Sequence, residues 1–312
     1  MKTAFVFLCL AAIAFAADSN PDENLGIVDP DLFEGDMVFP PEQQLAALNE
    51  DITGSTVRGA PIYNRKWTNG IVYYEIRQEL QGTSAEGVIA SAMREWESKT
   101  CIRFKRRQNE MNYVYFYKGK GCSSYVGMYG GGQPISLADG CWYHGTVAHE
   151  IGHALGFFHE QSRPDRDNYV TIMLDNIKSE AKFNFEKYTS SKINTMNTPY
   201  DYDSLMHYGS HYFSYNGKPT IVAKKGGATF GQRSFISDLD AHLMSMRYDC
   251  PAYKVEGFGC SYKASVAARR CWKYCGTRGS GHWCWINKSC GTKSDCGTGD
   301  DLMAAQCYGK CG

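Results

Sequence analysis

Apolar positions are distributed along the chain in three distinct ways. Ala4 through Ala17 form an unbroken apolar run behind Lys2, closing on Ala14-Phe15-Ala16. Such a run is shorter than the ~20 residues a membrane-spanning helix requires. Its small-x-small ending matches what a signal peptidase reads, so residues 1–17 are expected to be a signal peptide rather than a buried strand or helix. Residues 18–58 show little apolar periodicity, as expected of an extended segment that cannot bury enough surface to fold alone. Regular signals begin after residue 59. Ile71-Val72-Tyr73-Tyr74 and Tyr113-Val114-Tyr115-Phe116 carry the β-branched and aromatic content of strands. Between them, Thr83 and Glu86 stand at capping-box spacing ahead of Val88, Ile89, Ala92, Met93 and Trp96, which recur on one helical face. This predicts an α+β fold whose sheet order the pattern does not reveal.

Composition divides the chain further. Among 312 residues, 33 Lys and Arg balance 33 Asp and Glu, and 43% are apolar. Overall neutrality argues against a polybasic nucleic-acid binder, and the apolar fraction suffices for a packed core. The balance is an average of unlike parts, since residues 18–58 hold ten acids and a single base, Arg58. The remainder is correspondingly basic, including the last 62 residues, with nine bases against four acids. A cationic tail favours anionic matrix or glycans as partners.

The cysteines place another boundary. Cys9 leaves with the signal, and of the other twelve, four are spread over 101–250 while eight crowd into 260–311. An even, dense set in an exported chain reads as a disulfide framework, and paired Cys-x-x-Cys zinc knuckles are missing. The expected organisation is therefore signal 1–17, acidic segment 18–58, main domain 59–250 and an eight-cysteine module 251–312. In that module Cys260, Cys271 and Cys275 repeat the spacing of Cys296, Cys307 and Cys311. Cysteines four apart share a helical face, which predicts two short stapled helices. Trp272, Trp283 and Trp285 are expected in its small core rather than on a binding face. Asn287-Lys288-Ser289 is a glycosylation sequon.

The chemistry concentrates in residues 149–160, His-Glu-Ile-Gly-His-Ala-Leu-Gly-Phe-Phe-His-Glu. Four residues apart on a helix, His149 and His153 present both imidazoles to one point, as two tetrahedral zinc ligands require. Glu150, one residue round, is close enough to serve a water molecule without occupying a ligand position. Gly156 permits a left-handed turn that ends the helix and lets His159 return as a third nitrogen ligand. Three nitrogens and one open position are the mark of a catalytic zinc. Chance placement would give the whole pattern in only about 3 of 100,000 chains of this composition.

Together with Ser162-Arg163-Pro164-Asp165-Arg166-Asp167, this run resembles the extended zinc signature of the astacin metalloendopeptidases, a branch of the metzincins. Ser204-Leu205-Met206-His207-Tyr208 is similar to the family's Met-turn, and Phe33-Glu34-Gly35-Asp36 to its pro-region motif. The resemblance implies a two-lobed metzincin-type domain with a mixed sheet and an active-site helix, holding one Zn2+ and cutting protein substrates. It implies His149, His153 and His159 as ligands, Glu150 as general base and Met206 as packing beneath the metal. Tyr208 would be a fifth ligand that swings away to hydrogen-bond the oxyanion. Asp36 would cap the zinc in a zymogen opened by a protease near Arg58, and Glu160 would receive the new ammonium terminus. Cys101 would pair with Cys250 and Cys122 with Cys141. Arg233, in a stretch resembling the lower cleft wall, would read an acidic residue after the cut bond, with Lys224 and Lys225 behind it. The competing reading is a secreted binding protein or toxin acting through the tail; the intact set of site residues weighs against it.

Overall fold

The computed structural model describes residues 29, 31–39, 65–190 and 193–250, and strand backbone at 258–260, 270–274, 283–289 and 307–308. The expected signal peptide and the Arg58 cut lie outside these residues. A six-stranded sheet runs in the order β1-β5-β6-β4-β2-β3. Its members are β1 (Met37–Val38), β2 (Ile71–Ile76), β3 (Arg103–Arg106), β4 (Tyr113–Tyr117), β5 (Cys122–Tyr125) and β6 (Gly132–Leu137). Strands β3, β2, β4 and β6 pair parallel, and β5 pairs antiparallel to β6. The acidic segment contributes β1, which adds to the free side of β5 in the parallel sense.

Two helices cover one face of this sheet. Helix α1 (Ser84–Lys99) buries Ala85, Ile89, Ala92, Met93 and Trp96, with Val88 at the margin of the core. Thr83 Oγ1 accepts from the Ala85 N–H, while Glu86 accepts from Gly82 rather than Thr83, so the box closes one residue early. Helix α2 (His144–Leu155) is buried along its length from Gly145. Two tryptophans fasten it: Trp96 Nε1 donates to the Ala148 carbonyl at 3.0 Å and Trp67 Nε1 to the Ala154 carbonyl at 2.8 Å. These indoles satisfy their only polar atom on the helix whose position matters most.

Beyond α2 the chain builds a second core around Val170, Phe185, Tyr200, Tyr208, Tyr212, Phe213 and Ile221. It contains the antiparallel pair β7 (Val170–Ile172) and β8 (Ile221–Ala223) and short 3-10 turns, after which helix α3 (Asp238–Arg247) returns the chain to the first core, where Ala241 and Met244 are buried. Disulfides join Cys101 to Cys250 and Cys122 to Cys141. The first ties the end of α1 to the end of α3, and the second ties β5 to the turn that precedes α2. Among the described residues no helix is long and apolar enough to cross a membrane.

The described part of the tail is extended: β9 (Phe258–Cys260), β10 (Arg270–Tyr274), β11 (Trp283–Ser289) and β12 (Cys307–Tyr308), in the order β12-β11-β10-β9, all antiparallel. Cys271 and Cys307 therefore lie on strands, not on the two short helices expected. A separation of four is even, so it keeps one face of a strand as well as of a helix, and the tryptophans favour the strand.

Trp96 is fully buried between the two helices and packs edge-on against Phe157 at 6.0 Å. Trp96→Ala should cost about 3–5 kcal/mol, measured as a lowered denaturation midpoint; a loss below ~1 kcal/mol would contradict this packing.

Candidate metal centre and active site

Helix α2 delivers His149 and His153, and its end delivers the third histidine. Gly156 closes the helix at φ 110° and ψ 20°, in the left-handed region that favours glycine. Its N–H and that of Phe157 turn back to the His153 and Gly152 carbonyls, and Arg247 Nε and Tyr248 Oη donate to the Leu155 carbonyl. A cation over a helix C-terminus is favourable in itself. The chain then reverses and places His159 Nε2 3.2 Å from His149 Nε2, which lies 3.1 Å from His153 Nε2.

The opposite ring atoms decide what this cluster can bind. His149 Nδ1 lies 2.8 Å from the Leu205 carbonyl and His153 Nδ1 2.8 Å from the Phe157 carbonyl. Carbonyls only accept, so both rings carry their proton on Nδ1 and turn an Nε2 lone pair inward. His159 Nδ1 meets the Glu34 carboxylate at 2.6 Å, with the same consequence. Asp36 adds Oδ2 at 3.3 and 3.2 Å from the Nε2 atoms of His149 and His159, and Oδ1 at 3.3 Å from that of His153. All four side chains are buried, with their donor atoms within 4.8 Å of one another. Three nitrogen lone pairs and a carboxylate facing each other in a dry pocket require a cation, and N3O is a tetrahedral zinc donor set.

The loop carrying Asp36 is held tightly. Phe33 and Met37 exchange backbone hydrogen bonds at 2.8 and 2.9 Å across Glu34 and Gly35, whose φ values are 48° and 79°. A Cβ on Gly35 would stand 2.9 Å from the Phe213 ring. The Ser124 N–H donates to the Asp36 carbonyl at 2.9 Å and docks the loop on β5.

Glu150 is fully buried on α2 between the two helical ligands. Tyr208 is fully buried beside His159, their rings 4.6 Å apart, and its hydroxyl donates to the Glu34 carbonyl. Burial, followed by the nearby Glu34 and Asp36 charges, pushes its pKa well above 10, leaving a neutral phenol. Met206 lies beneath the helix, its sulfur 2.8 Å from where a Cβ on Gly152 would stand. Glu160 is buried and accepts from Arg163 Nη1 at 3.2 Å and the Asp201 N–H at 2.7 Å. Burial pushes its pKa up to about 7 against the pull of Arg163. Arg233 is buried with Nη1 donating to the His207 and Gln232 carbonyls, while the exposed Lys224 gives its ammonium to the Asp167 carbonyl.

Sequence reasoning overlooked Asp240. Its carboxylate accepts from Ser204 Oγ at 2.7 Å and the Leu205 N–H at 2.8 Å, fixing the turn whose Leu205 carbonyl orients His149. It is also the N3 residue of α3, in a capping box with Ser237. That Ser-x-x-Asp spacing was the available signal. Glu34, the acceptor for His159, was quoted only as part of a motif.

A buried helix bearing His-Glu-x-x-His, a third histidine after a glycine turn and a methionine turn beneath defines a zinc metallopeptidase centre. Comparison with known proteins gives the family. The model of "Astacin (Peptidase family M12A)" matches residues 61–249. Blastula protease 10 of Paracentrotus lividus is 41% identical over 232 residues, covering 70% of this chain and 38% of that protein. Zinc metalloproteinase nas-4 of Caenorhabditis elegans is 40% identical over 221 residues, covering 70% of this chain and 69% of its own length. The structure of high choriolytic enzyme 1, a hatching enzyme zinc-protease from Oryzias latipes, is similar with a TM-score of 0.56 and 41% identity, over 59% of this chain and 93% of that one. This chain belongs to the astacin family of zinc metalloendopeptidases.

Because Asp240 acts on the metal through Leu205 and His149, Asp240→Ala should weaken zinc binding by about 10–100-fold. Competition against a chromogenic chelator measures this, and an unchanged affinity would remove Asp240 from the support of the centre.

Proposed function

We propose that the chain is made as a secreted zymogen whose acidic segment blocks an endopeptidase centre, and that limited proteolysis near Arg58 opens it. The observation that carries this reading is Asp36, whose carboxylate faces all three Nε2 atoms where water or a substrate carbonyl would need to stand. Zinc at this site supplies Lewis-acid polarisation of the scissile carbonyl and makes water acidic near neutral pH.

The chain's own groups do the rest. His149, His153 and His159 hold the metal. Glu150 takes the proton from the attacking water and delivers it to the leaving amine. Tyr208 is held by the Glu34 carbonyl while the acidic segment is in place. Its release frees a neutral phenol to donate to the tetrahedral oxyanion. Met206 packs under the helix and takes no part in proton transfer.

The same cut creates an ammonium terminus, and Glu160 is its partner in this reading. A cavity of about 280 Å³ lined by Glu160, Arg163, Asp240 and Arg247 offers the space. Export follows from the apolar run at 4–17 and the disulfides. The division into signal, pro-segment, catalytic span and tail belongs to the same proposal, as does recruitment of anionic matrix or glycan by the basic tail.

One experiment addresses latency and chemistry together. The Asp36→Ala precursor should hydrolyse casein before any trypsin treatment, whereas the unaltered precursor should do so only afterwards; a variant as latent as the parent would refute the zinc cap. Adding Glu150→Gln should leave zinc bound and lower kcat by about 10²–10⁴-fold; full activity would remove Glu150 as general base.

A further inference from the structure

The acidic segment delivers more than a carboxylate. Past Asp36 it lies along β5 with Met37 opposite Ser124 and Val38 opposite Tyr125, which brings Phe39 to Val126. Met37 and Phe39 point to one side of this short strand, and both are buried in an apolar cluster with Val126. The Phe39 ring stacks on Phe158 at 6.1 Å and meets Phe33 edge-on at 5.0 Å, and Phe158 in turn leans on Tyr188 at 5.1 Å. Three members of the cluster, Phe33, Met37 and Phe39, belong to the segment that activation removes. The two that stay are Val126 and Phe158.

Those two walls are tied to the metal centre. Phe158 directly precedes His159, and the Gly127 N–H, next after Val126, donates to the His153 carbonyl at 2.9 Å. The pocket is therefore held at a constant distance from the point of cleavage. Once the segment has gone, an apolar wall stands open beside a strand whose edge N–H and C=O groups are free to pair with an extended peptide.

We propose that Val126 and Phe158 form a substrate subsite for a large apolar side chain, aromatic or branched aliphatic, at the second or third residue before the cut bond. The direction follows from β5. A peptide adds to an edge strand most favourably in the antiparallel sense. An antiparallel peptide whose scissile carbonyl lies where Asp36 now meets the metal places its preceding residues beside Tyr125 and Val126. This assignment rests on the endopeptidase reading above and names what that site selects. It concerns the side before the cut, so it is independent of any acidic preference after it.

Trypsin-activated full-chain protein with zinc, presented with a peptide library and read by mass spectrometry, should prefer Phe, Tyr, Leu or Met over Ala or Gly at one of those two positions. The expected margin is about tenfold or more in kcat/KM. Val126→Phe fills the pocket and should bring that margin to about twofold or less. A flat preference before the cut, an apolar preference found only after it, or a margin unmoved by Val126→Phe would each overturn the subsite while leaving the endopeptidase standing. A second measurement does not depend on turnover: a fluorescein-labelled peptide of residues 29–39 should bind the activated protein at least tenfold more tightly than its Phe39→Ala counterpart. Equal affinities would overturn the subsite. Peptide binding with the tenfold difference but no cleavage of any library member would instead overturn the endopeptidase reading and keep the pocket.

Discussion

Three buried imidazoles must turn their unprotonated nitrogens to one point, and the rest of the structure is arranged around that demand. Each ring is oriented from behind through Nδ1, by the carbonyls of Leu205 and Phe157 and by the Glu34 carboxylate. Without those acceptors a neutral imidazole could carry its proton on either nitrogen, and a ligand in the wrong tautomer presents N–H to the metal. The glycine turn at 156, the tryptophans clamping α2 and the Asp240 carboxylate all serve this arrangement, because each positions one of those acceptors or the helix itself.

The acidic segment exploits the same geometry in reverse. It supplies Glu34 to His159, a backbone carbonyl to the Tyr208 hydroxyl, Asp36 to the metal point and a strand to β5. One five-residue loop thereby engages the metal site, the tyrosine and the rim of the cleft together. Its ten acids against one base, beside a basic remainder of the sequence, explain how a chain with no net charge can consist of two strongly unlike parts. The described contacts belong to a few residues between Phe33 and Phe39.

Legibility of the site followed the physics of its parts. His149 and His153 were readable because a helix converts a spacing of four into adjacency, and His159 because a glycine in the left-handed region is needed where the helix must stop. Strands β2 and β4 and helix α1 were readable from period and composition. The sheet order was not, because parallel pairing joins residues far apart in sequence: Tyr74 beside Val114, and Phe116 beside Ile135. Asp240 escaped notice because its role depends on a turn 35 residues away. The tail cysteines misled because a separation of four suits two kinds of backbone.

The amino-acid sequence by itself determined the three histidines, the family and the presence of an acidic segment, since these rest on residue types and short fixed spacings. Only the tertiary structure decided which acceptor holds each histidine, that Glu34 rather than another acid meets His159, and that Phe39 lies on Val126 and Phe158. Those contacts span 125 residues from Glu34 to His159. Over such distances the partner is chosen by how the two cores and the sheet edge pack, and short-range spacing carries no record of that packing.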